Sequence, residues 1–171
     1  MILCPRRYCP GGVTDVRPAD LRDAGIEAVL LDLDNTLVAW QGYDVPDAVM
    51  EWLAELRACG LKLYLVSNTR SGRRLRQLAA ELEMSYVRRA WKPRRRGFLA
   101  AMRELGVGPD RTAVIGDQMF TDVLGGNRLG LYTVMVRPMA RREFVGTRLS
   151  RLAERVVLAW LRRRGLLPEG G

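Results

Sequence analysis

Apolar and polar positions follow two periods that take turns along the chain. Ala28-Val29-Leu30-Leu31-Asp32-Leu33 is an almost unbroken apolar run that reaches an acid, the pattern of a central parallel strand buried on both faces. Pro46 opens a helical period, with Val49, Trp52, Leu53 and Leu56 on one face and Gly60 as its stop. Leu61–Val66 predicts a second strand. Ser71 is placed to cap a basic helix carrying Leu75, Leu78, Ala79 and Leu82, and Ser85–Val87 reads as a short edge strand. Residues 94–106 predict a helix with Phe98, Met102 and Leu105 inward and Gly106 as terminator. Thr112–Gly116 predicts a strand, Met119–Leu129 a helix, Leu131–Val136 a last strand, and 143–164 a final helix.

Strand–helix units repeated four or five times, without internal repeat or low-complexity segment, predict an α/β fold with a doubly wound, Rossmann-like parallel sheet. At 171 residues the expectation is a single domain over 1–171. Residues 1–25 form an N-terminal extension in this reading, and 143–164 a C-terminal basic amphipathic helix. In such sheets ligands sit beyond the carboxyl ends of the strands.

Composition narrows the chemistry. The chain has no histidine, which removes Ser-His-Asp and Cys-His triads and His-ligated zinc. Its three cysteines, Cys4, Cys9 and Cys59, are too few for a Cys4 zinc site and odd in number for a disulfide framework, so neither zinc nor a disulfide is expected. Positions 10, 15 and 65 are Pro, Asp and Leu, so no cysteine has the arginine six positions on that a cysteine-phosphatase loop needs. Any hydrolysis must run on carboxylates, hydroxyls or a metal held by oxygens. The start lacks a signal-peptide stretch and no run is long enough for a membrane span, so a cytoplasmic chain with reduced thiols is expected.

The net charge of +9 is unevenly placed. Residues 70–96 hold ten basic and two acidic side chains and 137–171 hold nine and three, so the remainder is net acidic. An acidic centre between basic arms suits a magnesium site beside a surface that attracts polyanions. Arginine dominates the cations, and the only lysines are Lys62 and Lys92.

The strand ends gather the polar chemistry. The first carries Asp32-Leu33-Asp34-Asn35-Thr36, the second Ser67-Asn68-Thr69, Lys92-Pro93 follows the edge strand, and Gly116-Asp117-Gln118 follows the fourth, with Asp122 five residues on. Singly, an Asp after a strand reads as a helix cap and Ser-Asn as a turn. Together, in order, each at its own strand end, they read as a site.

These four motifs resemble those of the haloacid dehalogenase superfamily of phosphohydrolases. Asp34-Asn35-Thr36-Leu37-Val38, Gly116-Asp117-Gln118 and Thr121-Asp122-Val123-Leu124-Gly125-Gly126-Asn127-Arg128-Leu129-Gly130 are similar to the YqeG-like subgroup, which includes phosphatidylglycerophosphate phosphatases. The chain departs from the pattern at Cys4-Pro5-Arg6-Arg7-Tyr8-Cys9 and at Arg94-Arg95-Arg96. The resemblance implies a magnesium-dependent phosphomonoester hydrolase. Without histidine or a cysteine-phosphatase loop the nucleophile must be another group, and Asp32 holds the position of a carboxylate that forms an aspartyl-phosphate. It further implies that Asp32, the backbone carbonyl of Asp34, and Asp117 bind the magnesium, oxygen ligands that favour it over zinc. Asp34 would protonate the leaving alkoxide and then deprotonate the attacking water. Ser67 would donate to a phosphoryl oxygen, and Lys92 would offset the clustered negative charge. Asp122 would orient the metal's water shell or Lys92, or else serve as a helix N-terminal acid.

Only 30 residues separate Thr36 from Ser67 and 24 separate Ser67 from Lys92, so no large cap domain fits. An open site admits a phosphate attached to something large. Asn68 and Arg70 are candidate substrate contacts, and at least one of Arg70, Arg73 and Arg74 can face the phosphate pocket. Arg94-Arg95-Arg96 opens a helix where positive charge opposes the dipole. Leu149, Leu152, Val156 and Trp160 make one stripe of the last helix beside Arg148, Arg151, Arg155 and Arg162, which suits either an anionic bilayer or packing on the sheet. The favoured substrate is lipid-linked phosphatidylglycerophosphate, met by a peripheral protein on the inner membrane face. Two other readings stay open: a phosphatase of soluble sugar or nucleotide monophosphates, and an idle domain binding RNA or ribosomes through its arginines.

Overall fold

The computed structural model describes residues 2–139 and 145–166. Six parallel strands form the centre: β1 (Arg7–Cys9), β2 (Ala28–Leu31), β3 (Lys62–Val66), β4 (Ser85–Val87), β5 (Thr112–Gly116) and β6 (Tyr132–Val136). Their order across the sheet is β1-β6-β5-β2-β3-β4. From β2 the chain steps outward to β3 and β4; from β5 it steps the other way to β6. The reversal opens a crevice at the carboxyl ends of β2 and β5, which are in register with Leu31 opposite Ile115.

The apolar run of β2 is buried on both faces because helices cover both. Val29 and Leu31 face α2 (Asp47–Ala58) and α3 (Gly72–Glu81), through Trp52, Leu53, Leu56, Leu75 and Leu78. Leu30 faces the other way, into a core with Phe98, Ala101 and Met102 of α4 (Arg95–Leu105). Single helices and short turns link the strands, and no cap domain intervenes.

Three features differ from the sequence expectation. Residues 7–9, assigned above to an extension, form β1 and pair in parallel with β6; three residues without alternation carry no strand signal. In the same segment, α1 (Pro18–Asp23) buries Leu21. The helix expected over Met119–Leu129 is instead a π-helical turn, Met119–Val123, followed by the short α5 (Leu124–Asn127). Close packing explains why this segment carries Gly125 and Gly126. A Cβ on Gly125 would lie 2.5 Å from Phe98 Cε2, and one on Gly126 2.5 Å from Val114 Cγ1.

The last helix, α6 (Val145–Arg163), buries Glu154 and Leu161 and packs Val157 and Leu158 on Met119, Val123 and Met135. Val156 and Trp160, expected to share an apolar stripe with Leu149 and Leu152, are exposed, so the described part of that stripe is not the packing face. The side chains of Arg148, Leu149, Arg151, Leu152 and Arg155 lie outside the described residues. Among the described residues no helix is long and apolar enough to cross a membrane.

Candidate active site

Asp32 continues β2 by one residue, its N–H donating to Ile115 O at 3.0 Å, and Asp117 continues β5. The π-helical turn returns Asp122 to the same place. The three carboxylates are buried, with one oxygen of each lying within 4.8 Å of the others. Lys92, from the segment after β4, enters the cluster: its Nζ donates to Asp32 Oδ1 at 2.5 Å and to Asp122 Oδ1 at 2.6 Å. Burial alone would depress this ammonium, but Asp122 and Asp32 outweigh it and hold Lys92 charged, above its ordinary range. Burial pushes Asp122 up to about 6, with Asp32 adding to the rise and Lys92 opposing it. Thr36 Oγ1 lies 3.4 Å from Asp32 Oδ2 and 3.5 Å from Asp117 Oδ1.

Three buried carboxylates around one ammonium leave negative charge that burial makes costly. The donors are all oxygens, the chemistry of a hard divalent cation, so the residues present fit such an ion.

Two local devices aim this cluster. Asn68, expected as a substrate contact, has both ends of its amide on the main chain of Lys92: Oδ1 accepts from Lys92 N at 2.8 Å and Nδ2 donates to Lys92 O at 3.0 Å. It lines the neighbouring pocket, yet its amide positions the lysine. The Lys92–Pro93 peptide is cis. Gly116 gives Asp122 its space, since a Cβ there would lie 2.3 Å from the Asp122 carboxyl carbon. Gly116→Ala should therefore displace Asp122 from Lys92, lowering phosphate release on the order of 100-fold. The overpacked variant should also lose about 1–3 kcal/mol of stability, measured by thermal melting.

Asp34 and Asn35 follow on a tight loop in which Leu33 O accepts from the N–H groups of Thr36, Leu37 and Val38, and Asn35 adopts a φ of 64°. Asp34 faces a cavity of about 620 Å³ lined also by Trp40, Tyr43, Thr69, Arg70 and Gln118. Its carboxylate Oδ1 accepts from Gln41 N at 3.1 Å and pairs with Arg74 at 2.8 Å. Burial raises the Asp34 pKa, Asp32 adds to the rise, and Arg74 opposes it without cancelling it. A carboxyl held above its ordinary range is suited to give up a proton and take it back.

Of Arg70, Arg73 and Arg74, it is Arg74 that is buried. Its Nε donates to Gly42 O at 2.7 Å and its guanidinium lies 5.9 Å from the Tyr43 ring centre, while Arg70 stands exposed on the cavity rim. Ser67, at the end of β3, accepts from Thr69 N at 3.1 Å, so its hydroxyl hydrogen is the part left to donate. The structure thus unites Asp32, Lys92, Asp117 and Asp122 in one cluster and sets Asp34, Asn68 and Arg70 around the adjoining cavity. Sequence reasoning missed the brace from Arg74 to Asp34, although Arg74 shares a helix face with buried Leu78 four residues on. It also missed Glu154, a buried acid of α6 that accepts from Met119 N at 3.0 Å and so anchors the turn carrying Asp122.

Comparison with known proteins places this geometry. The sequence profile of haloacid dehalogenase-like hydrolases matches residues 14–130. The chain is 36% identical over 150 residues to the probable phosphatase YqeG of Bacillus subtilis, covering 88% of this chain and 87% of that protein. It is 27% identical over 169 residues to phosphatidylglycerophosphate phosphatase 1, chloroplastic/mitochondrial, of Arabidopsis thaliana, covering 91% of this chain but 48% of the plant protein. Among solved structures, the cobalt-bound deoxy-D-mannose-octulosonate 8-phosphate phosphatase of Haemophilus influenzae superposes with a TM-score of 0.54 at 20% identity, covering 66% of this chain and 69% of that one.

Proposed function

The chain belongs to the haloacid dehalogenase-like hydrolases as one of their phosphatases, and we propose that it dephosphorylates phosphatidylglycerophosphate through a phosphorylated Asp32 with magnesium. The observation that carries the reading is the Lys92-bridged acidic cluster opening beside an uncapped cavity that Asp34 lines. The lipid is supported by the similarity to the plant phosphatidylglycerophosphate phosphatase and by a cavity over which the described residues place no cap domain.

Asp32 attacks phosphorus while the ester P–O bond breaks, and Asp34 gives its proton to the departing alkoxide. Asp34, now a carboxylate, takes a proton from water as that oxygen attacks the phosphoryl group on Asp32. Inorganic phosphate leaves and the Asp32 carboxylate is restored. Ser67 donates to a phosphoryl oxygen, and Lys92 neutralises charge on Asp32 and on the transferring group. Asp122 holds Lys92 in place, Asn68 fixes its main chain, and Arg70 meets the substrate at the rim. Asp32, Asp117 and the main-chain carbonyl of Asp34 would hold the magnesium ion, whose charge lets an anionic substrate approach an acidic site.

The test is phosphate release from a panel of phosphatidylglycerophosphate in detergent micelles, sugar phosphates and nucleotides, with and without magnesium. Preference for the lipid by tenfold or more is expected; preference for a soluble monophosphate overturns the substrate. Asp34→Asn should lose far more activity on alkyl than on aryl phosphates, because only a poor leaving group needs the proton; equal losses would remove its role as acid. Magnesium should also raise the melting temperature. Saturation at 100-fold over the dissociation constant stabilises by about 2.7 kcal/mol, several degrees for a domain of this size. Asp117→Asn should abolish that shift.

A further inference from the structure

Trp91 is the most exposed large apolar side chain at the active-site end, 62% accessible, one residue before Lys92. Nothing in the proposed chemistry uses it, and its backbone is held where an indole-bearing residue is costly. Trp91 has a φ of 54° and Arg89 a φ of 52°, in the left-handed region. The main chain on either side is pinned: Ala90 N donates to Ser67 O at 3.2 Å, Lys92 N to Asn68 Oδ1 at 2.8 Å, and Arg94 N to Trp91 O at 2.9 Å. The main chain that bears the exposed indole is thus fixed beside the site.

Cations surround it. Arg88, Arg89, Arg94, Arg95 and Arg96 are all exposed, and none forms an ion pair with a described carboxylate. Arg94 is the N-cap of α4 and Arg95 and Arg96 lie in its first turn, which has no acidic residue, so they face the positive end of the helix dipole. Arg88 lies against the start of α3, its Nε 3.1 Å from where a Gly72 Cβ would stand. The arginines therefore lie near the starts of two helices, where anions are favoured and cations repelled.

We propose that Trp91 and the arginines at 88, 89 and 94–96 form a docking surface for an anionic phospholipid bilayer, with the indole entering the headgroup layer and the arginines pairing with lipid phosphates. This rests on the lipid-substrate reading only for its purpose, which is to bring the mouth of the cavity to a phosphate that cannot leave the membrane. An indole suits that layer because its body is apolar and its N–H polar. A single exposed indole in this segment also fits insertion better than nucleic-acid binding, where successive bases stack on several aromatics.

The experiment is sedimentation of the full chain with vesicles of mixed phosphatidylglycerol and phosphatidylcholine, which contain no phosphomonoester, and with vesicles of phosphatidylcholine alone. Binding is expected to the anionic vesicles and to weaken steeply with salt. Replacing Arg94, Arg95 and Arg96 with Gln should reduce vesicle affinity well over tenfold, since each basic residue near such a surface is worth about a fivefold change. Trp91→Gly should reduce it by about tenfold while leaving the melting temperature unchanged or higher, because glycine adopts this φ freely. Undiminished vesicle binding by both variants would overturn the proposal. So would a loss confined to binding of single-stranded poly(U), which would assign the surface to nucleic acid. The two readings fail separately. Turnover of the lipid phosphate in micelles by a protein that ignores anionic vesicles overturns the docking surface alone. Vesicle binding without that turnover overturns the substrate alone.

Discussion

Asp32→Asn is expected to abolish phosphate release, with a loss on the order of 10,000-fold or more, while the protein melts within a few degrees of the parent. The amide nitrogen cannot attack phosphorus, the chain has no histidine, and none of its three cysteines belongs to the carboxylate cluster where it could replace the nucleophile. The fold should tolerate the change because Lys92 keeps its 2.6 Å contact to Asp122, and an amide oxygen can still accept where Asp32 Oδ1 does now. One negative charge leaves a cluster that has three carboxylates and one ammonium, so the charge imbalance falls. Acid quenching during turnover should trap a phosphoenzyme in the parent and none in the variant. A variant within tenfold of the parent, or one that still becomes phosphorylated, would end the covalent mechanism.

The strand ends were legible because chemistry and position coincide there. Asp32, Ser67, Lys92 and Asp117 each follow a strand that the apolar pattern marks, and parallel pairing brings those ends to one side of the sheet. Asp122 was legible as a residue that orients Lys92 or a metal's water shell, or else as a helix N-terminal acid, and the structure shows the contact to Lys92. Whether it reaches Lys92 depends on the π-helical turn and on the absence of a Cβ at Gly116, and neither leaves a periodic trace. Arg74 was hidden for a different reason. In a run where Arg70, Arg73, Arg74 and Arg76 look alike, only the helical phase set by Leu75 and Leu78 turns one of them inward to Asp34. The clamp made by Asn68 left no trace either, because an amide after a strand suits a ligand and a main-chain clamp equally well, and Asn68 lines the cavity as well as holding Lys92. The cis peptide that follows Lys92, and the clamp that holds it, are tertiary facts. Trp91 carried no signal at all, since an apolar residue beside an edge strand reads as core until its φ turns it outward.

Lys92→Met should be the most destabilising of the substitutions considered, because it removes the only cation that touches Asp32 and Asp122 among the described residues. Breaking a buried ion pair from one side costs about 3–5 kcal/mol, since the remaining charges have no water to turn to. At about 2–4 °C per kcal/mol for a domain of this size, the melting temperature should fall by roughly 6–20 °C in chelator. Activity should fall with it. The sign of the pH dependence separates this cause from simple loss of packing. Asp122 already titrates near 6 in the folded protein, above its unfolded range, so the native state holds that proton more tightly and this group's support is lost as pH rises through its folded value. Without the opposing ammonium its folded value must climb further, and the window in which it destabilises the fold extends to higher pH. The stability gap between parent and Lys92→Met should therefore narrow as pH falls from neutral towards 5, as Asp122 takes up its proton. The parent's own support from Lys92 is fully present throughout that range, because the ammonium's folded value lies above its unfolded one and is reached only in strong alkali. Adding Asp122→Asn to Lys92→Met should recover much of the lost stability at neutral pH and none of the activity. A gap that stays constant with pH, or a double variant no more stable than the single one, would show that Lys92 holds the fold through packing and not through charge.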